Sequence, residues 1–169
     1  MVVTFEKISD ESRIWIFQSN RLIPDLDIES LKKQIDVFLS SWTSHGNQLM
    51  VASKIKYNLF IIIALDQSCS TASGCSIDKL VSFIKNIENE YQISLLDRLD
   101  ISFRDKNKIS VLRLDDFKRK ILEKKINNDT IVFNNLINLK SDLTNNWEIP
   151  LNRSWHQKLI KWKNISYTF

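Results

Sequence analysis

Apolar positions fall along this chain in two rhythms, and the rhythm changes at short polar breaks. Arg13 to Gln18, RIWIFQ, is β-branched and aromatic and predicts a first strand. After the turn RLIPDLD, residues Ile28, Leu31, Ile35, Phe38, Leu39 and Trp42 recur at helical spacing, with Lys32, Lys33, Asp36 and Ser40 elsewhere on the wheel. Asp25 or Asp27 is placed to cap that helix, and Gly46 to end it in a left-handed conformation. Leu49 to Lys56 alternates loosely, Leu59 to Leu65 is apolar throughout, and Tyr57-Asn58 between them predicts a tight hairpin turn. A strand that is apolar on both sides belongs inside a sheet with both faces covered.

Small polar residues follow, and then Ile77, Leu80, Ile84, Ile87 and Tyr91 mark a second amphipathic helix. LDISF and ISVLRL, joined by RDKNK, predict a surface hairpin, and Asp115 is placed to cap a short helix, DDFKRKILEKK. Thr130 to Phe133 reads as a short strand and Leu136 to Leu143 as helical. Ser154-Trp155-His156-Gln157 matches a capping box, opening a last helix with Trp155, Leu159 and Trp162 on one face.

The order β-α-β-β-α-β-β, then helices, predicts an α+β fold. It fits an antiparallel sheet with two amphipathic helices on one face, a split βαβ or ferredoxin-like arrangement, plus a helical C-terminal extension. The second sheet face needs cover from the C-terminal helices or from a dimer interface. The length of 169 residues predicts one domain, with an α+β core over about 12–114 and a basic, mostly helical extension over 115–169. Two glycines and two prolines argue against long flexible linkers.

Charge refines this picture. The net formal charge is +4, but residues 1–100 carry 10 Lys+Arg against 13 Asp+Glu, and residues 101–169 carry 14 against 7. A basic C-terminal third suits an acidic protein surface, a nucleic acid or a membrane face, or is simply a solvated basic surface. The opening MVVTFEKISDESR has no stretch resembling a secretory signal. The longest apolar run is the seven residues Leu59 to Leu65, against about 20 for a membrane-spanning helix. Two cysteines make no disulfide framework. The cytoplasm is the expected location.

The segment with the clearest chemical potential runs from Asn58 to Ser82. An apolar strand ends at Asp66, a small-residue loop follows, and a helix is expected to start near Ser76. That geometry offers backbone N–H groups to an anion. The candidate ligand site is therefore Ser70 to Lys79, with Ser73, Gly74, Cys75, Ser76, Asp78 and Lys79. A helix N-terminus favours a thiolate, which makes Cys75 a candidate nucleophile with His45 or His156 as its base. Cys75 with His45 is the candidate catalytic pair; the alternative is that Cys75 is a small buried hydrophobe. Cys69 lies in mid-loop. Asp66 and Asp78 could face each other across the loop and hold Mg²⁺, but no third carboxylate is nearby and no zinc spacing is present. No metal and no cofactor are assigned. Neither glycine begins G-x-x-x-x-G-K-[ST], and G-x-G-x-x-G is absent.

A second constellation closes the chain. Arg153, Lys158, Lys161 and Lys163 interleave with Trp155, Trp162, Tyr167 and Phe169, with no acid among them. Basic and aromatic residues together suit stacking on bases or a membrane interface. At helical spacing the same aromatics also suit packing onto a sheet as a lid.

RIWIFQSNR, FLSSWTSHGNQL, SGCSIDK, ENEYQI followed by LLDR, DTIVFNNL, and WEIP with SWH occur in that order between Ser12 and His156. In these segments the chain resembles a family of short bacterial proteins commonly catalogued as "ABC transporter ATPase". The resemblance implies an association with ABC transporters and an ATPase label, and it carries over no catalytic residue. SGCSIDK is a distant echo of the ABC signature. The residues after Trp162 lie outside the resemblance.

Together these features predict a cytosolic binding or adaptor module with an anionic ligand at Ser70 to Lys79. The alternatives are an ABC transporter-associated ATPase, a thiol-dependent enzyme using Cys75 and His45, and an RNA- or protein-interaction module using Arg153, Trp155, Lys158, Lys161 and Trp162. The expected partner is an anionic small molecule, a protein, an RNA or a second copy of the chain.

Overall fold

A computed structural model describes residues 1–68 and 70–161, with Lys161 described in its backbone alone. It shows an α+β protein whose chain divides into two compact units. The first holds Met1–Leu96 with Asn138–Ser141; the second holds Asp97–Ile137 and the chain from Asp142 onward.

The first unit runs β1 (Arg13–Gln18), α1 (Asp25–Ser41), β2 (Thr43–Ser44), β3 (Asn47–Gln48), β4 (Met50–Lys56), β5 (Phe60–Asp66) and α2 (Gly74–Tyr91). β1, β5 and β4 form an antiparallel sheet in that order. The central strand is the one with the unbroken apolar run, and its alternating side chains explain why. Ile61, Ile63 and Leu65 join Leu31, Ile35 and Leu39 of α1 and Leu80, Ile84 and Ile87 of α2 in one core. Phe60, Ile62 and Ala64 point to the opposite face and are buried as well. The β4–β5 turn is the expected Tyr57-Asn58, with φ of 57° and 50°. Two left-handed residues give a turn whose twist matches that of the strands.

α1 begins without a side-chain cap. Its N-cap is Pro24, and Asp25 and Asp27 sit in the first turn. The Asp25 carboxylate accepts a hydrogen bond from the Asn58 side chain instead. α1 also ends early. Trp42 is extended, and Gly46 (φ 80°) lies in the β2–β3 hairpin rather than at the helix end.

Both edges of this sheet are engaged at one end. Val2 bridges Val51 on the outer side of β4. On β1, the Ile14 N–H donates to the Asn138 carbonyl at 2.9 Å and the Lys140 N–H to the Ser12 carbonyl at 2.9 Å. The Lys140 ammonium donates to the Ile8 carbonyl at 2.6 Å and to the Asp10 carboxylate at 2.9 Å. Residues 136–143 are therefore not the helix their apolar spacing predicts. Asn138–Ser141 forms an extended strap, because the outer edge of β1 needs partners and the strap supplies them. Helix resumes in α4, Asp142–Asn145.

The second unit contains β6 (Asp100–Asp105), β7 (Lys108–Arg113), α3 (Leu114–Leu122), β8 (Ile131–Phe133), α4, β9 (Glu148–Pro150), a 3₁₀ turn at Leu151–Arg153 and α5 (Gln157–Lys161). Its antiparallel sheet has the order β7-β6-β8-β9. Ile101 and Phe103 of β6 meet Phe117 and Ile121 of α3, with Ile126, Val132 and Leu151, in its core.

Four expectations change here. The first sheet keeps the β1-β5-β4 order of a split βαβ, but β6 does not join it and so completes no ferredoxin-like sheet. A two-residue turn lets β6 close locally on β7, and Phe103 is committed to Phe117 at 5.6 Å between ring centres. The chain therefore divides at Leu96/Asp97 rather than at 114/115. Within 115–161, β8 and β9 replace the mostly helical extension. α3 takes Arg113 as its N-cap, with Asp115 and Asp116 in its first turn. No helix among the described residues is long and apolar enough to cross a membrane.

Candidate functional site

α2 starts at Gly74, two residues before the expected start. Ser73 is the N-cap, with extended backbone, and its Oγ accepts the Ser76 N–H at 3.2 Å. The Ser73 carbonyl accepts the Ile77 N–H at 3.0 Å and the Ser76 hydroxyl at 2.8 Å. This uses the third and fourth amides of the helix. It leaves those of Gly74 and Cys75, on exposed residues, as donors with no partner among the described residues.

The helix start is anchored from two sides. The Ser73 N–H donates to the buried Ser44 hydroxyl at 3.2 Å. The Trp42 indole N–H donates to the Ser76 carbonyl at 2.8 Å. Trp42 is 1% exposed, edge-on to Trp15 at 5.9 Å and tilted against Phe38 at 5.8 Å. Placing that indole in the core requires extended backbone at Trp42, so α1 stops before Gly46 is reached.

The structure gathers Ser73, Gly74, Cys75 and Ser76 at one point. Ser76 is buried, whereas Cys75, Asp78 and Lys79 are exposed. Lys79 is one turn beyond Cys75, and helical side chains lean toward the N-terminus. Asp78 is the fifth residue of α2, beyond a first turn that carries no acid. Cys75 is a free, exposed thiol and not a buried hydrophobe. His45, at φ 49°, is exposed at the tip of the β2–β3 hairpin. The Ser44–Ser73 bond brings their neighbours near each other, yet among the described residues no hydrogen bond joins the Cys75 thiol to the His45 ring. Cys69 lies outside the described residues. Asp66 accepts the Ser68 N–H at 2.9 Å, and this hydrogen bonding holds its carboxyl below the usual carboxylate range. Among the described residues no three His, Cys, Asp or Glu side chains gather as a metal site.

His156 is enclosed in the second unit. Its Nδ1 lies 2.7 Å from Ser154 Oγ, and its ring stacks on Trp155 at 3.9 Å. Burial pushes the imidazole down to about 4. Sequence reasoning missed this pair by reading Ser154 as a capping hydroxyl. The Gln157 N–H in fact takes the Ser154 carbonyl, at 3.0 Å. The S-x-H spacing was the available signal.

The basic aromatic segment divides in the same way. Trp155, Leu159 and Ile160 pack on the second core, while Arg153 and Lys158 are exposed. The Lys161 side chain and all of Trp162 lie outside what is described. The described part of the tail packs on that core. Ending the chain after Pro150 also removes the fully buried Leu151. It is expected to lower the melting temperature by roughly 10 °C or more and to raise binding of a hydrophobic dye. An unchanged melt would show that this packing contributes no stability.

Compared with protein-family models, with curated proteins and with solved structures, the chain gives no match.

Proposed function

We propose that this chain is a binding or adaptor module that receives an anionic group at the start of α2. The observation that carries the reading is the anchoring of that helix start by Trp42 and Ser44, which fixes the first amides in place before a ligand arrives. Preorganised donors bind without the cost of ordering a loop. Lys79 adds positive charge on the same end. SGCSIDK is the cap and opening turns of a helix, so Lys79 stands on α2 and not at the end of a glycine loop that wraps phosphates. This favours anion binding over the ATPase reading.

Inorganic phosphate tests the proposal by amide chemical-shift titration. Gly74 and Cys75 are expected to move most and to saturate, and Lys79→Gln should weaken the response. Gly74→Pro is the decisive variant. Gly74 is the first helical residue, where proline is tolerated, and extended Ser73 suits a following proline. A Cβ at residue 74 would meet no atom within 4 Å. Gly74→Pro should keep the fold and abolish the response. Shifts spread over many lysines, or a response unchanged in Gly74→Pro, would overturn the reading.

A further inference from the structure

We propose that β7 is a self-association edge, on which two copies of the chain pair antiparallel about a two-fold axis at Val111. This surface is separate from the α2 site.

The strand register defines the edge. Asp105 pairs with Lys108 across the two-residue turn Lys106-Asn107. In a two-residue hairpin that closing pair exchanges both hydrogen bonds, and the pattern then alternates. Phe103 with Ser110 and Ile101 with Leu112 follow as hydrogen-bonded pairs, and the Leu114 N–H to Leu99 carbonyl bond at 2.8 Å continues the series. Ile109 and Val111 therefore turn both backbone groups away from β6, and Arg113 its N–H; the Arg113 carbonyl opens α3 as its N-cap. Among the described residues no other strand pairs with them.

The other sheet edges are managed differently. β4 is engaged at Val51 by Met1 to Val3, and β1 at Ser12 and Ile14 by the Asn138–Ser141 strap. β9 is three residues long and ends in Pro150, which has no N–H to offer. β7 is six residues long, with Ile109, Val111 and Leu112 half-buried at its centre. A strand of this length with an unpaired edge is a template for another strand.

Charge identifies the occupant. Lys106 and Lys108 are exposed at one end of β7. At the other end α3 begins, with Asp115 and Asp116 in its first turn; the Asp115 side chain is 96% exposed and 3.9 Å from the Lys118 ammonium, and Asp116 is paired with Arg119 at 2.7 Å, so Asp115 is the more open of the two acids. An antiparallel partner centred on Val111 sets Val111 opposite Val111 and Ile109 opposite Arg113. The Lys106-Asn107-Lys108 turn of each copy then lies beside Leu114-Asp115-Asp116 of the other. The strand is complementary to itself, as an isologous two-fold interface requires. A partner of another sequence would have to reproduce this acid and base pattern, whereas a second copy carries it already.

The test is a charge swap in the full chain, read by sedimentation across a concentration series. One variant is Lys106→Glu with Lys108→Glu; the other is Asp115→Lys with Asp116→Lys. The unaltered chain is expected to dimerise. Each variant alone should bring like charges together and weaken dimerisation about tenfold or more. An equimolar mixture of the two should restore dimers, because every juxtaposition is then opposite in sign. Circular dichroism checks that both variants fold. In the unaltered chain the amides of Ile109, Val111 and Arg113 should gain exchange protection as concentration rises. A monomer at every concentration, dimers insensitive to both swaps, or a mixture no tighter than its components would each overturn the proposal.

Discussion

Replacing Trp42 by alanine is expected to cost the first unit about 3–5 kcal/mol, the range for deleting a buried aromatic. Three effects add. The ring is 1% exposed, so its apolar surface and its contacts with Trp15 and Phe38 are lost together. Its core is close-packed by α1, α2 and β5, so the cavity closes only in part. The Ser76 carbonyl loses the indole N–H. Trp42→Phe separates these terms, since it retains most of the volume and removes the donor. It should cost about 1–2 kcal/mol while loosening the α2 start, so that the phosphate response of Gly74 and Cys75 weakens more than the stability does. Urea unfolding followed by circular dichroism measures the first effect and the amide titration the second. A loss below about 1 kcal/mol for Trp42→Ala would mean that the indole is not the peg holding α1 to α2.

The physics of each element decides how much of this was legible in the sequence. β1, the Tyr57-Asn58 turn, β5 and both long helices were readable because each buries its apolar pattern within a short stretch of chain. Ile35, Leu39, Leu80 and Ile84 are buried as their spacing requires. Two of the failures share another cause, a distant partner that outbid a local preference. Leu136 to Leu143 has helical spacing, but the edge of β1 draws Asn138–Ser141 into extended form across more than 100 residues of chain. Gly46 has the expected left-handed conformation, yet Trp42 enters the core first and the glycine serves a hairpin. Ser154 has the residue type of a cap, but His156 claims its hydroxyl. At the candidate site, sequence located the helix start to within two residues and named Ser73 to Ser76. It could not show that Cys75 would be exposed, because a lone cysteine carries no periodic signal. Nor could it show that Trp42, 34 residues away, anchors Ser76.

Acidification should destabilise the second unit in a window set by His156. Above the ordinary histidine pKa of 6.5 the ring is neutral in both folded and unfolded chains, and stability there is complete. Burial depresses the folded value to about 4. As pH falls below 6.5 the unfolded chain takes up a proton that the folded chain refuses, so stability is lost progressively until the folded value is reached. The slope is about 1.4 kcal/mol per pH unit, and the full loss is roughly 3 kcal/mol. The carboxyls of Asp66 and Asp97 are also held low, by hydrogen bonds from Ser68 and Arg113 respectively. Their stabilisation fades only as pH falls below the ordinary carboxyl range near 4, beneath most of the His156 window. Thermal or urea unfolding from pH 7 to 4.5 should therefore show a decline that His156→Gln and His156→Met both flatten. Two replacements of different polarity distinguish the charge from the packing, since either can lower overall stability while only loss of the imidazole removes the slope. Direct titration of the His156 ring by NMR should place its midpoint well below the ordinary histidine value of 6.5. A slope unchanged in both His156 variants would show that the buried imidazole is not its source.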